Sequence, residues 1–427
     1  MGQVRTFLAR IISYAVAVAV LLLSPPVSAD PGDLDPSFDG DGIATTFVHR
    51  GGVPYAVAVQ DDGKLILGGT TGSVKGAFAL VRFNPGGTLD ATFGHDGKVV
   101  TKFPDGATIQ AVELVESGII VAGSVGFAED SRMIVAQYRS GGGLDRTFAS
   151  DGTATIRFEG GAYAADMALQ QNGKVVIVGE ALNPQGSRFG VARLTPDGVL
   201  DRTFGRDGKV TTELHGDPGA ANAIAVSREG ILAAGWTAPH PGVGRLAVVR
   251  YTRKGLLDRA FSGDGIFVRS MAEERGGDSR GISIAIDADG RAIIGGRVFE
   301  ADGFVSSAFL LRLGAGGSPD DTFGEDGSVT ERIEAASAVR IQADGGIVVA
   351  GGICCGGGDE STYVVARFLP TGRLDPAFGD AGIAFADVPS PPHAGPLTDM
   401  TLQPDGRIVA VGVAAYSSGF LAVRLLA

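Results

Sequence analysis

Short apolar runs of about five to seven residues, set off by Gly, Asp, Asn and Ser, fill the chain beyond its first thirty positions, and none of them sustains a helical apolar period over a useful length. One stretch shows the pattern. Residues 97–103, rich in Val and Thr, read as a strand; a variable loop leads to the alternating run 109–114, a turn at Ser117-Gly118, the apolar run 119–122, a second variable loop, and then 133–138. The unit therefore predicts four strands, lettered d, a, b and c in chain order, and it recurs seven times with an anchoring phenylalanine at Phe38, Phe93, Phe148, Phe204, Phe261, Phe323 and Phe378.

Two turns carry the recurrence. The a–b connection is Asp62-Gly63, Ser117-Gly118, Asn172-Gly173, Glu229-Gly230, Asp289-Gly290, Asp344-Gly345 or Asp405-Gly406, residues suited to tight hairpins because Gly, Asn and Asp tolerate positive φ. The c–d connection holds Leu-Asp-x-x-Phe. Its Asp can cap a single helical turn by accepting amide protons two or three residues on. Pro36 and Pro376 follow that Asp where a missing donor costs nothing, and Gly94, Gly205, Gly324 and Gly379 can end the turn in the left-handed conformation. An Asp-Gly step at Asp41, Asp96, Asp151, Asp207, Asp264 and Asp326 then launches strand d, with Ala381 the departure. The Phe is expected to be a buried wedge.

The repeat is out of phase with the chain. It opens on a d strand, 42–47, and finishes on a c strand, 420–425. An open stack would expose that last apolar edge, whereas pairing 43–47 with 422–425 completes a fourth strand and closes a ring. Side-chain size agrees. Along strand a, two large positions (Val57 and Val59, Val112 and Leu114, Ile224 and Val226) alternate with small ones (Ala56 and Ala58, Ala223 and Ala225), as crowding around an axis demands. The predicted fold is an all-β, seven-bladed propeller of four-stranded antiparallel blades spanning 30–427.

Both phrases resemble the delta-60 repeats of exported bacterial proteins, whose unit contains Leu-Asp-x-x-Phe-Gly and Gln-x-Asp-Gly-Lys. Here they read Leu89-Asp90-Ala91-Thr92-Phe93-Gly94 and Gln60-Asp61-Asp62-Gly63-Lys64. The resemblance covers nearly the whole chain after the leader, implies a propeller-like domain, and brings no defined molecular function. Pro319 stands in place of the usual Leu in the sixth unit, and Glu229 in the turn of the fourth.

Residues 1–29 read differently from the rest. Arg5 and Arg10 precede an apolar run, Ile11 to Leu23, then Pro25-Pro26 and the small-residue end Val27-Ser28-Ala29. This is a secretory leader with cleavage expected after Ala29; the run is shorter than the roughly 20 residues that span a bilayer, and no second such stretch follows. The mature chain is thus expected to be exported (secreted, periplasmic or on the cell surface) with no membrane span. Removing two arginines leaves 34 basic against 48 acidic side chains, so the formal net charge moves from -12 to -14, a poor match to nucleic acid. Adjacent Cys354 and Cys355 cannot readily close an unstrained disulfide and are too few for a closed zinc site.

Candidate chemistry sits where the repeat is broken. Glu113, Asp166, Arg340 and Asp399 occupy small-residue positions of strand a and should approach the channel. Trp236-Thr237-Ala238-Pro239-His240, the 271–280 loop, Cys354-Cys355 and Pro391-Pro392-His393 are the distinctive members of the variable b–c and d–a loops, the rim where ligand residues are held on a rigid frame. Glu113, Asp166, Trp236, His240, Arg340, His393 and Asp399 are therefore the candidate ligand-binding residues, with a protein or glycan as the expected partner and no cofactor or metal implied. Three channel carboxylates fall short of the 6 to 8 oxygens calcium takes, and the dense Asp33, Asp35, Asp39 and Asp41 lack calcium-loop spacing. A hydrolase or lyase using Glu113, Asp166 and Asp399, or a calcium-stabilised surface protein, are the alternatives. Gly277-Asp278-Ser279-Arg280-Gly281 spells a nucleophile elbow without the helix that should follow it. Arg82, Arg193, Arg250, Arg312, Arg367 and Arg424, with Gln137 as the exception, recur in strand c, which predicts a repeated structural bond to a turn carboxylate or carbonyl.

Overall fold

The structure is a computed structural model that describes residues 30–427 apart from 50, 73–74, 241–242, 273–276, 300–305, 354–361, 387, 389–396 and 415–417. Cys354, Cys355 and His393, like the leader, lie outside the described residues. Seven four-stranded antiparallel sheets form, and in each the a strand is at one edge and the d strand at the other. The a strands are Val53–Val59, Ala107–Val115, Ala162–Leu169, Gly219–Val226, Asp278–Ile286, Ala338–Ile341 and Asp399–Leu402, taken below as blades one to seven. Helix is confined, among the described residues, to the short turns Ala128–Asp130 and Phe148–Ser150, and no helix is long and apolar enough to cross a membrane.

The ring closes through the two ends of the repeat array. Ile43–Thr46 is the outer strand of blade seven, antiparallel to Phe420–Leu425, with Ile43 opposite Val423 and Thr46 opposite Phe420. The paired segment is shifted toward Phe420 relative to 422–425, because Leu34 and Gly32 bridge the last residues, Leu425 and Leu426, instead. Strands a, b and c of the second unit run longer than the sequence suggests, Ala107–Val115, Gly118–Val125 and Arg132–Arg139 against 109–114, 119–122 and 133–138. Polar residues near the loops still complete ladder hydrogen bonds that hydropathy does not register.

No single core exists. The buried side chains divide into seven clusters, each sandwiched between adjacent blades. Every cluster contains one signature phenylalanine, and all seven rings are at most 2% exposed. Burying such a ring is worth about 3–5 kcal/mol against alanine.

The recurrent arginine explains why the signature is written as it is. In blade one the guanidinium of Arg82 lies over Phe93, 4.5 Å from the ring centroid, while its Nε donates to Asp90 at 2.8 Å and its Nη1 to the carbonyl of Ser140 in the next blade. Arg193, Arg312 and Arg424 repeat the arrangement on Arg253, Pro370 and Pro85. The Lys of Gln-x-Asp-Gly-Lys completes it, since Lys174 reaches Asp201 at 2.8 Å and Lys64 reaches Asp90 at 3.3 Å. The two repeated phrases are therefore the two halves of one ion-pair network on one rim. Burial opposes ionisation of Asp90 and Asp201, but hydrogen bonds from Thr92 or Thr203 and the charges of Arg82 with Lys64, or Lys174 with Arg193, hold both carboxyls well below the usual range. The four expected glycines take φ of 52 to 56°, and the same left-handed place is filled by Asp39, Ala149 and Ser262 in the other three units.

Asp35 is one of these network acids, bonded to Ser37, Arg407 and Arg424, and Asp41 accepts the Ile43 amide. Both therefore have structural partners in the turn that starts the ring.

Candidate functional site

A cavity of about 980 Å³ runs along the axis, lined by residues of all seven a strands. Each a strand has one edge without a sheet neighbour, so its channel-side amides need other acceptors. Asp166 Oδ2 takes the amide of Ile224 in the next blade at 2.9 Å, Ser283 Oγ takes that of Val339 at 2.9 Å, and Asp399 Oδ2 takes that of Val57 across the ring closure at 2.9 Å. These polar departures from the small-residue rule thus join neighbouring blades. Arg340 Nη2 donates to the other oxygen of Asp399 at 2.9 Å.

Glu113 is different. It lines the same cavity, and no hydrogen bond to it is found among the described residues. Burial, with the Asp166 charge added, pushes its carboxyl up to about 7. Asp166 is pushed up to about 7 as well, mainly by burial, against the pull of the Ile224 and Met167 amides. Burial also raises Asp399, with Arg340 opposing. The side chains of Asp399 and Arg340 are still 19% and 36% exposed, so channel water reaches them. All four charged residues singled out from the sequence therefore share one cavity and one electrostatic field.

The mouth lies at the rim of the variable loops. Five a strands carry a one-residue irregularity at Tyr55, Gln110, Ala165, Asn222 or Ile282. It drives the preceding carbonyl onto strand b, where only glycine fits; a Cβ on Gly235 would stand 2.0 Å from the Ala220 oxygen and one on Gly296 2.1 Å from that of Arg280. The residue after this glycine lies at the mouth. In blade four it is Trp236 and in blade five Arg297, and both line the cavity. Arg280, at the start of the blade-five a strand, stacks on Trp236 at 4.9 Å and is held by a bidentate bond to Asp278. Arg297 packs over Phe299 at 4.7 Å; its Nε is buried and finds no hydrogen-bond partner among the described residues.

The sequence reading found Trp236 but not Arg280 or Arg297. Their signal was the residue following the strand-b glycine and the register partner opposite it, a comparison between blades that strand a alone does not prompt. His240 ends the b strand Ile231–His240, and His393 lies outside the described residues. Ser279 is fully buried in an extended strand, takes the Met271 amide and faces the Gly244 carbonyl, so the elbow spelling has no elbow.

Residues 60–93, 170–204 and 342–378 match the family described as Domain of unknown function (DUF5122) beta-propeller. Three of the seven repeats thus carry the repeat of this propeller family. Each matched segment runs from the hairpin glutamine to the signature phenylalanine; the Lys–Asp–Arg network ties the first two together, and an Arg367–Asp375 pair the third. No curated protein matches the chain. Among solved structures, polysaccharide lyase Uly1 is similar at 10% identity over 87% of this chain and 90% of its own, with a TM-score of 0.51. A PL25 ulvan lyase (10% identity, 93% and 94% covered, TM-score 0.47) and Sqt1 from Chaetomium thermophilum (13%, 94% and 99%, 0.46) are also similar. At such identity the likeness to the lyase Uly1 shows a shared fold alone.

Proposed function

We propose that the mature repeat protein works outside the cytoplasm as a binding module that takes a glycan into its channel through the variable rim. The leader directs export, and the ring presents a rigid cavity. The observation that carries the reading is the lining itself: carboxylates and hydroxyls from neighbouring blades line the cavity, and an aromatic ring stands at its mouth. Carboxylates and fixed amides match sugar hydroxyls, and an indole offers an apolar face, within a volume at the upper end of the roughly 300–1,000 Å³ of small-ligand sites. The test is a glycan array with the purified mature chain, alongside a protein pull-down. Silence across a broad glycan panel sinks the reading, and capture of a protein through the same rim replaces it with protein recognition.

A second reading has its own observation. Glu113 and Asp166, both raised to about 7 on one cavity wall, suit proton transfer near neutral pH, as a hydrolase or lyase requires. Glycan turnover by the wild type, lost in Glu113→Gln with binding retained, supports it. Binding without any turnover removes it.

A further inference from the structure

We propose that the channel mouth is a subsite for the anionic group of an acidic saccharide, a carboxylate or sulfate borne on one sugar unit, with Arg297 as its ligand. The inference rests on the glycan reading above and names the ligand class.

Charge at the mouth decides the class. Arg280 is already neutralised, its Nε and Nη2 both bonded to Asp278, with 2.8 Å the shortest contact. Among the described residues Arg297 has no such partner; its guanidinium packs over Phe299 at 4.7 Å, and its Nε is buried without a hydrogen bond. A guanidinium held in this way can present its Nη donors to a planar or tetrahedral oxyanion, which offsets the positive charge in one contact. Position reinforces the point. Arg297 and Trp236 occupy the same place in adjacent blades, immediately after Gly296 and Gly235, and Arg280 stacks on Trp236 across the a-strand register Arg280 to Arg297. An anion on Arg297 therefore lies beside the indole.

The interior decides between saccharide and peptide. Glu113 and Asp166 line the same cavity as carboxyl groups that match sugar hydroxyls, and the channel cation Arg340 is already bonded to Asp399, so the interior offers no counter-charge to a second anionic group. A ligand with one anionic group at the mouth and hydroxyls facing inward satisfies both ends. An acidic peptide, with charge along its length, does not.

The experiment uses calorimetric titration of the mature chain with matched neutral, uronate-containing and sulfated oligosaccharides, with an acidic peptide as a further arm. Wild type is expected to bind one or both anionic series at least about tenfold more tightly than the neutral match, with affinity falling as salt rises. Arg297→Gln should erase that preference, so that within the variant the acidic and neutral series bind equally, with the melting temperature kept. Arg297→Lys, which keeps the charge without the planar donor edge, should lose most of the preference and covers the case in which the first variant fails to fold. Equal binding of neutral and acidic saccharides, or a preference that survives both substitutions, overturns the proposal and leaves the glycan reading standing. Binding of the acidic peptide in preference to any saccharide overturns both, as does the absence of saccharide binding.

Discussion

Replacing Arg193 with glutamine tests the network that joins the blades. The side chain makes four contacts: Nε to Asp201 at 2.8 Å, Nη1 to the Arg253 carbonyl of the next blade, Nη2 to the Thr203 hydroxyl at 3.3 Å, and its guanidinium face 4.5 Å from the Phe204 centroid. A charge-assisted bond is worth about 1.5–3 kcal/mol, and a largely desolvated cation–π contact about 1–2 kcal/mol. Lys174 stays 2.8 Å from Asp201, so the carboxylate is not left without a counter-charge and the larger penalty of an orphaned buried ion does not apply. The expected loss is therefore about 3–5 kcal/mol, read as a lower urea midpoint at unchanged m-value. Exposed Arg206→Gln is the control and should stay within about 0.5 kcal/mol. Blade two supplies the reverse experiment. There Gln137 bonds Ser117 in place of the arginine network, beside Asp145 and buried Phe148. Gln137→Arg should raise stability by about 1 kcal/mol. If Arg193→Gln costs no more than the Arg206 control, the network is ornament on a ring held by apolar packing alone, and the reasoning fails.

Three further outcomes follow from other parts of the ring. Phe204, fully buried between blades three and four, should cost about 3–5 kcal/mol on truncation to alanine in a chemical melt; no loss contradicts its role as a wedge. Ala149 holds φ of 48° where four other units have glycine, so Ala149→Gly should stabilise by about 0.5–1 kcal/mol, and a destabilised variant would show that the turn is not strained. Asp166 titrates near 7 folded and about 3.9 unfolded, so the folded chain keeps a proton that the unfolded chain releases, and stability falls as pH rises between roughly 4 and 7. Asp166→Asn retains an acceptor for the Ile224 amide; its stability should gain on the wild type across that window, and parallel pH profiles would show that Asp166 is not the group responsible.

Much of this molecule is local. Asp-Gly turns, the capped Leu-Asp-x-x-Phe turn and alternating large and small residues are short-range effects, repeated in register, so the sequence alone determined the blades and their number. The missing fourth strand at one end and the unpaired edge at the other also determined closure, since backbone groups left open must find partners. The channel residues Glu113, Asp166, Arg340 and Asp399 were legible for a related reason: each breaks a size rule that the other blades obey.

Only the tertiary structure decided what those residues do. Asp166 and Asp399 receive amides from adjacent blades, a relation between residues 58 and 342 positions apart that no local pattern encodes. The same holds for the mouth, where Arg297 comes from strand b, Arg280 from strand a and Trp236 from the blade before. Their meeting depends on the irregularity that, in blades four and five, presses the a strand onto a glycine of strand b. Sequence spacing sets which way a side chain leaves its strand, and the packing of one blade on the next sets what it finds there.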